Sequence, residues 1–220
     1  MRTPIPKRDT FGRIYDRIID RYPALAIKVW PGLGEFTVVS WNRYEVALRD
    51  SSGQSLVLKN NYARILLKEV AVWDRWYGPG FGGKVVLDVG AGCGETAWWF
   101  FRRGARKVIA VEADQSLKAY LERNSQSNGW NLEICMERFA PQHLGLGYDF
   151  VKIDCDGGET VLLDRAVSSL KPCRIELHPQ ITGRKIASSI VSKFGLKSID
   201  GSDLWGSFPA EKQQLSTTDQ

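Results

Sequence analysis

The sequence lacks several features that would point directly to a function. Its four cysteines are far apart and form no Cys-x-x-Cys or Cys/His pattern with the spacing of a zinc site. No apolar stretch reaches the roughly 18 residues that a membrane-spanning helix needs. The first residues are basic but contain no apolar core of a secretory signal. We therefore expect a cytoplasmic protein with free thiols, no structural zinc and no membrane partner.

Composition gives only a weak indication of partners. The chain has 220 residues, of which 43% are hydrophobic and 25% are charged, and its net charge is +5. These values are ordinary for a globular protein with one core, or with one core and a small appendage. The mild positive charge is compatible with an anionic ligand or a nucleic acid, but it selects neither.

A glycine-rich segment at residues 78–83 is the clearest break in the pattern and predicts a domain boundary. Before it, residues 1–80 are predicted to form a small α+β appendage that covers the acceptor site as a lid. After it, residues 81–209 form the main domain, and residues 210–220 form a flexible polar tail. The elements predicted for the appendage are a helix over Phe11–Tyr22, strands over Glu35–Ser40, Arg43–Arg49 and Gln54–Leu58, and a helix over Asn61–Tyr77.

Strand-like and helix-like segments alternate through the main domain. This alternation predicts an α/β fold with a Rossmann-like, seven-stranded and mostly parallel sheet, and the last two strands add an antiparallel hairpin. The predicted strands are Lys84–Val89, Lys107–Glu112, Leu132–Met136, Asp149–Ile153, Arg174–His178, Leu196–Asp200 and Leu204–Phe208. The predicted helices are Glu95–Arg103, Ser116–Asn128, Glu159–Ser169 and Arg184–Phe194.

The segment DVGAGCG, which begins at Asp88, ends the first strand of the main domain. Its glycines, Gly90, Gly92 and Gly94, let the backbone turn sharply and approach a ligand at the carboxyl end of the sheet. Glu112 ends the second strand, where a carboxylate can accept hydrogen bonds from both hydroxyls of a ribose. The third glycine comes too early for a dinucleotide fingerprint, and Asp88 disfavours a diphosphate. A ligand with a cationic amino-acid group fits this segment better.

DVGAGCG and the later segment VEAD resemble the first two motifs of the class I S-adenosylmethionine-dependent methyltransferases. The resemblance covers about residues 84–208 and implies S-adenosyl-L-methionine as the cofactor. It implies that the glycine loop surrounds the methionine part, that Glu112 holds the ribose, and that Asp114 lies near the adenosine. The cofactor-binding residues predicted in this way are Asp88, Gly90, Ala91, Gly92, Gly94, Glu112, Ala113, Glu137 and Asp154.

Two further segments, DFVKIDCDGGE at 149–159 and RIELHP at 174–179, look like the FkbM family of methyltransferases. In that family a K-I-D-x-E-G-x-E segment precedes a strand that ends in E-L-H. Here Asp156 replaces the usual glutamate, Gly158 stands for a small residue, and Cys93 stands where asparagine is common. The family tends to methylate oxygen atoms of small molecules or sugars, so the resemblance implies O-methylation of a small-molecule or sugar-like acceptor.

Lys152, Asp154 and His178 are the predicted catalytic residues, because they lie near the ends of the fourth and fifth strands. Methyl transfer from a sulfonium is a displacement that is helped by alignment and by removal of a proton from the acceptor. Asp154 or His178 can take that proton, and histidine has the intrinsic pKa nearer neutrality. Structural roles stay open, with Asp154 as a helix cap and His178-Pro179 as a corner.

No residue is assigned to a metal. A divalent ion at Asp154, Asp156, Glu159 and His178 is a minor alternative, because strand-end carboxylates are common and the spacing is not specific to a ligand set. Glu137 or Phe139 is expected to touch the adenine, and His143 is expected on the surface. The appendage aromatics that could line an acceptor pocket, or pack in a core, are Trp30, Phe36, Trp41, Tyr44 and Tyr62.

An RNA methyltransferase that acts on tRNA or rRNA is the first alternative function. The positive charge and the appendage favour it. No Asn-Pro-Pro-Tyr-like segment follows the fourth strand, Pro172-Cys173 is poorly placed to attack cytosine, and no lysine accompanies His178 for ribose methylation. A cofactor-binding protein without catalysis is the second alternative. An NAD-dependent oxidoreductase is the third, and the glycine spacing disfavours it.

Overall fold

A computed structural model describes residues 21–22, 36–78, 80–199 and 204–207. Several predicted features lie outside these residues. They are most of the helix over Phe11–Tyr22, Trp30, the turn at 201–203 and the tail at 210–220.

The N-terminal part of the described chain forms a small antiparallel sheet followed by helices. Strand β2 lies between β1 and β3, and Asp50 closes the β2–β3 hairpin by accepting hydrogen bonds from the backbone N–H groups of Ser52 and Gln54. The elements are β1 Phe36–Trp41, β2 Glu45–Asp50, β3 Ser55–Lys59, α1 Asn60–Glu69, a 3₁₀ turn Val70–Val72, and α2 Trp73–Tyr77.

The remaining strands form one seven-stranded sheet in the order β6-β5-β4-β7-β8-β10-β9. Strands β4 to β8 are parallel to one another, and β10 is antiparallel to both β8 and β9, which confirms the predicted α/β fold with its final hairpin. All five residues of β4 are buried, as expected for a strand with both faces covered. The strands are β4 Val85–Val89, β5 Lys107–Val111, β6 Leu132–Cys135, β7 Phe150–Ile153, β8 Cys173–Glu176, β9 Lys197–Ser198 and β10 Leu204–Ser207.

The helices that follow these strands match the predicted ones except at two places: the short helix that begins at Pro179 was not predicted, and one predicted helix does not form. They are α3 Glu95–Arg102, α4 Lys118–Asn128, α5 Pro179–Thr182 and α6 Arg184–Phe194. The helix predicted over Glu159–Ser169 is wrong: a 3₁₀ helix covers Gly158–Leu163 and then ends. The Asp164 side chain accepts a hydrogen bond from the N–H of Ala166, and Lys193 donates to the carbonyls of Leu162 and Asp164. These bonds occupy groups that a continuing helix would need.

The small sheet and the large sheet share one hydrophobic core. Phe36 of β1 packs against Trp98 of α3 with ring centroids 4.9 Å apart, and both belong to a single buried cluster. The otherwise free edge of β3 is bonded by the side chains of two asparagines of α4. Asn124 exchanges hydrogen bonds with Val57 N–H and C=O at 2.8 and 3.0 Å, and Asn128 bonds Ser55 in the same way. A paired edge offers no template for another strand.

The structure also bears on the cysteines and on the possibility of a membrane span. All four cysteines are free thiols. Among the described residues, no helix combines the length and the apolar character that a bilayer crossing requires.

Candidate active site

The candidate site lies where the strand order of the large sheet reverses. The chain proceeds outward from β4 to β5 and β6 on one side, and from β7 to β8 on the other. The carboxyl ends of β4 and β7 are therefore neighbours, and the N–H of Asp154 bonds the carbonyl of Val89 at 3.0 Å. In open α/β sheets, ligands bind in the crevice above such a reversal.

Gly90 is required by the close contact between the two strand ends. Its φ is +74°, and a Cβ atom at this position would lie 1.7 Å from the carbonyl oxygen of Asp154. No side chain fits in that space. At Gly92, where φ is +59°, a Cβ would lie 2.5 Å from Glu95 Oε1 and 2.8 Å from the ring of Tyr62. Because these two residues have no side chains, the loop backbone can pass close to the groups that border the cavity.

Glu112 is joined to the glycine loop. Its Oε2 accepts a hydrogen bond from the N–H of Gly92 at 3.0 Å, and its Oε1 accepts one from the N–H of Asp114 at 2.8 Å. Each carboxylate oxygen retains a second lone pair for a ligand. The two parts that the sequence predicts for one site, 20 residues apart, are therefore in direct contact.

Asp88 and Lys152 form a buried ion pair beneath the loop. Asp88 is fully buried; Lys152 Nζ lies 3.2 Å from its Oδ1, and Thr96 donates a hydrogen bond to its Oδ2. Lys152 Nζ also donates to the carbonyl of Gly90 at 2.8 Å. Burial acts to lower the pKa of Lys152, but Asp88 and Asp154 outweigh it and hold the pKa well above its ordinary value. Lys152 is therefore the protonated partner that lines the cavity, whereas Asp88, whose pKa is raised by burial, does not line it.

His178 is oriented by a buried glutamate. Its Nδ1 contacts Glu159 Oε1, which also accepts a hydrogen bond from the backbone N–H of His178 at 3.0 Å. The side-chain hydrogen bond between Nδ1 and Glu159 raises the pKa of His178 to about 9, although burial alone would lower it. The Nε2 atom faces three carboxylates at 3.5 to 3.9 Å, which belong to Asp154, Asp156 and Glu176.

Three other carboxyl groups in the cavity are held partly neutral by their surroundings. Burial raises the pKa of Glu95 to about 8, and it raises the pKa values of Glu69 and Glu176 to about 7 with help from nearby Asp154. Burial outweighs the nearby cations Lys152 and His178 at these groups, and a further cationic ligand would favour their ionised forms.

The wall opposite the strand ends comes from the N-terminal helices. Tyr62, Ile65 and Glu69 of α1 line the cavity together with Trp73 and Tyr77 of α2. Of the predicted pocket aromatics within the described residues, only Tyr62 lines this cavity. Phe36 packs in the core, and Trp41 and Tyr44 are exposed.

The prediction that His143 lies on the surface is wrong. The side chain is 2% exposed, its Nε2 bonds Glu137 Oε1 at 2.9 Å, and its Nδ1 bonds the backbone of Ala140. A loop that turns back on itself satisfies both ring nitrogens, which allows burial. The same bond positions Glu137, which lines the cavity with Phe139.

Together these walls enclose a cavity of about 520 Å³. Of the predicted site residues, the structure brings most to its lining and leaves Asp88, Ala91 and Gly94 behind it. Sequence reasoning did not assign Glu69, Glu95 or Glu176 to the site. Of these three, only Glu176 could have been assigned to the site from the sequence. Alternate residues of a strand lie on the same side, and His178 is two positions further on. The predicted residues that line the cavity are Gly90, Gly92, Glu112, Ala113, Glu137, Lys152, Asp154 and His178.

Comparisons with known proteins give similarity only at the level of solved structures. No protein-family model matches the chain, and no curated protein matches it significantly. The structure of M. jannaschii TYW2 in complex with AdoMet is 18% identical over 77% of this chain and 86% of that one, with a TM-score of 0.48.

Two further solved structures are similar over shorter stretches. A precorrin 8w decarboxylase from Methanobacterium thermoautotrophicum is 22% identical over 60% of this chain and 73% of that one, with a TM-score of 0.47. The C-terminal domain of precorrin-6Y C5,15-methyltransferase from Rhodobacter capsulatus is 18% identical over 68% and 76%, with a TM-score of 0.44.

Proposed function

We propose that this protein is an S-adenosylmethionine-dependent methyltransferase that acts on an oxygen atom of a small, sugar-like acceptor. One observation carries the cofactor part of this proposal, while the acceptor follows the resemblance of the segments 149–159 and 174–179. The glycine loop and the Glu112 carboxylate, joined by the Gly92 N–H bond of 3.0 Å, form one wall of a cavity at the reversal point of the sheet. A ribose can use the remaining lone pairs of Glu112, and a flat glycine loop admits the adjoining chain of the nucleoside.

The charge of the cavity supports a cationic cofactor over a dinucleotide. Eight acidic residues line it, of which Glu69, Glu95 and Glu176 are partly neutral in the empty cavity. Lys152 and His178 are the only cationic lining residues in the described part of the chain. A diphosphate would meet strong repulsion in such a site, whereas a sulfonium and an ammonium group would be attracted. The eight acidic residues are Glu69, Glu95, Glu112, Asp114, Glu137, Asp154, Asp156 and Glu176.

The residues around the cavity divide into two groups. Glu112, the glycine loop, Glu137 and Phe139 would hold the nucleoside, with Lys152 fixing the loop through the Gly90 carbonyl. When bound, the cofactor supplies an electrophilic methyl group on sulfur. The second group lies at the ends of β7 and β8, where it would contact the acceptor and take up the proton that the acceptor loses.

Asp154 is the residue that we assign to receive the acceptor's proton. It is 35% exposed at the side chain and lies between Lys152 and His178 at 3.7 Å from each. Lys152 is excluded because its pKa is held far above neutrality. His178, with a pKa of about 9, carries a proton at neutral pH and acts as a positive neighbour that positions Asp154.

A specific observation favours the RNA alternative. Tyr44 and Trp41 are 63% and 44% exposed, and the Arg43 guanidinium lies 4.5 Å from the Tyr44 ring centroid. Exposed aromatics beside a cation can stack on unpaired bases. A gel shift with tRNA at increasing salt tests this, and the alternative predicts that Tyr44→Ala weakens binding.

Calorimetry with nucleosides tests the main proposal. We expect S-adenosylmethionine and S-adenosylhomocysteine to bind and NAD not to bind. Glu112→Ala should weaken nucleoside binding at least tenfold, whereas Glu133→Ala should leave it unchanged, because Glu133 pairs with Lys107 outside the cavity. Absence of binding heat with folded protein would overturn the proposal, and binding without methylation of any acceptor would favour the non-catalytic alternative.

A further inference from the structure

Three side chains with metal-ligating atoms meet at the carboxyl ends of β7 and β8. One atom each from Asp154, Glu176 and His178 lies within 4.8 Å of the other two. His178 Nε2 is 3.7 Å from Asp154 Oδ1 and 3.9 Å from Glu176 Oε1. Neighbouring ligands of an octahedral ion stand about 3 Å apart when the bonds are about 2.1 Å. The two distances from His178 Nε2 would therefore need to shorten by roughly 1 Å, and the distance between the two carboxylates by up to about 2 Å, to place all three atoms on one ion.

The orientation of His178 is a second and independent indication. The His178 side chain is 9% exposed, and Glu159 Oε1 contacts its Nδ1 while also accepting a hydrogen bond from the backbone N–H of the same residue. A carboxylate oxygen only accepts, so Nδ1 carries the hydrogen. Nε2, on the opposite edge of the ring, faces the carboxylates of the cavity. Within the described residues Nε2 has no hydrogen bond, only carboxylates at ion-pair distance. A histidine held by a carboxylate behind it is the usual arrangement of a metal ligand.

The carboxylates in front of His178 also favour a divalent cation. Asp154, Asp156 and Glu176 converge on Nε2, and Glu159 lies behind the ring. In the described part of the chain, Lys152 is the other cation of the cavity, and Asp88 already shares it. One divalent ion would balance this negative charge and would give Nε2 a bonding partner.

We propose that Asp154, Glu176 and His178 bind one divalent metal ion of a kind that accepts both imidazole and carboxylate ligands, such as Mn²⁺. The ion takes the place of a proton on Nε2, and this proton is released to solvent. The three protein ligands leave positions open for water or for an acceptor oxygen. If the proposed methyl transfer holds, an acceptor hydroxyl bound at one of these positions would be more acidic, and its proton would pass to the Asp154 oxygen that does not bind the ion.

Manganese binding to the full chain tests this inference without any nucleoside. Chelator-treated protein is titrated with Mn²⁺, and the free ion is followed by electron paramagnetic resonance. We expect one bound ion per chain, with ¹⁴N modulation from an imidazole in the pulsed spectrum. Asp154→Asn and Glu176→Gln should each weaken binding at least tenfold, and His178→Gln should remove the nitrogen signal.

The matched control is Glu133→Gln, an exposed carboxylate of β6 that pairs with Lys107 of β5 and does not line the cavity. Its affinity for Mn²⁺ should equal that of the wild type. Circular dichroism identifies variants that do not fold, and either Asp154→Asn or Glu176→Gln alone suffices for the test. No bound ion, or equal binding by wild type and folded variants, would overturn the inference. Because no nucleoside is present, neither result depends on the proposed methyl transfer.

Discussion

Replacing Asp50 with asparagine should loosen the attachment of the small sheet to the large one. The carboxylate is fully buried at its side chain and reaches across from the β2–β3 hairpin to α3. Its Oδ2 accepts hydrogen bonds of 2.8 Å from both Trp98 Nε1 and Arg102 Nη1, while Oδ1 binds Ser52 and Gln54 in the turn. Asparagine preserves the turn bonds but presents its amide hydrogens to two donors of α3.

The pKa of Asp50 gives the magnitude. Burial alone would raise it, but hydrogen bonds from Arg102, Ser52 and Trp98 lower it from 3.8 to about 2. A difference of nearly two pKa units corresponds to about 2 kcal/mol of folding free energy at neutral pH. Because the folded-state pKa is the lower one, this contribution is present above pH 4 and is lost as the pH falls towards 2. At pH 3 about half of it should remain.

Urea unfolding of wild type and Asp50→Asn at pH 7 and at pH 3 measures the effect. We expect a loss of about 2 kcal/mol at pH 7, which is a fall in melting temperature of about 4–8 °C for a chain of this size, and a smaller loss at pH 3. The control is Asp74→Asn, whose carboxylate pairs with Arg103 but is 58% exposed. Exposed pairs contribute about 1 kcal/mol or less. Equal losses for the two variants, or a loss for Asp50→Asn that does not shrink in acid, would refute the reasoning.

Three more substitutions test the packing around the site. Gly90→Ala should abolish soluble expression, because its Cβ would lie 1.7 Å from a carbonyl oxygen, whereas Gly83→Ala, with φ +70° and no atom within 4 Å, should cost only about 1 kcal/mol. Asn124→Asp should destabilise more than Asn124→Ala in urea unfolding, because a carboxylate would face two backbone carbonyls. Lys152→Met should cost about 3–5 kcal/mol by leaving Asp88 unpaired, and adding Asp88→Asn should recover part of it in a double-mutant cycle. Full additivity of the last pair would contradict the described contact.

Much of the fold was predictable because its signals are local. Short apolar runs, several of which end at a glycine or an acidic residue, predicted the parallel strands, and β4 is buried along its whole length as its composition requires. The glycine loop and Glu112 lie at the ends of adjacent strands, so their meeting follows from the strand order alone. Helix α6 has the predicted bounds, because Gly183 and Gly195 limit it on either side.

The errors arose where long-range bonds overrode local preference. The segment after Gly158 has helical composition, but Lys193 of a later helix takes its carbonyls. His143 stands in a polar loop, and no local pattern shows that Glu137 and Ala140 would satisfy both ring nitrogens. The boundary predicted at residue 80 stays a prediction, and the hydrophobic core is continuous across it.

The sequence by itself determined the order of strands and helices along the chain and the bend at the glycines, because each depends on residues close together in the chain. It also placed Glu112 at the end of the strand that follows the glycine loop. Only the tertiary structure decided that Asp88 is buried behind Lys152, that Glu159 fixes the ring of His178, and that eight carboxylates share one cavity. Burial and the distances between charges depend on how distant segments pack, and these two quantities set the charge states of the site.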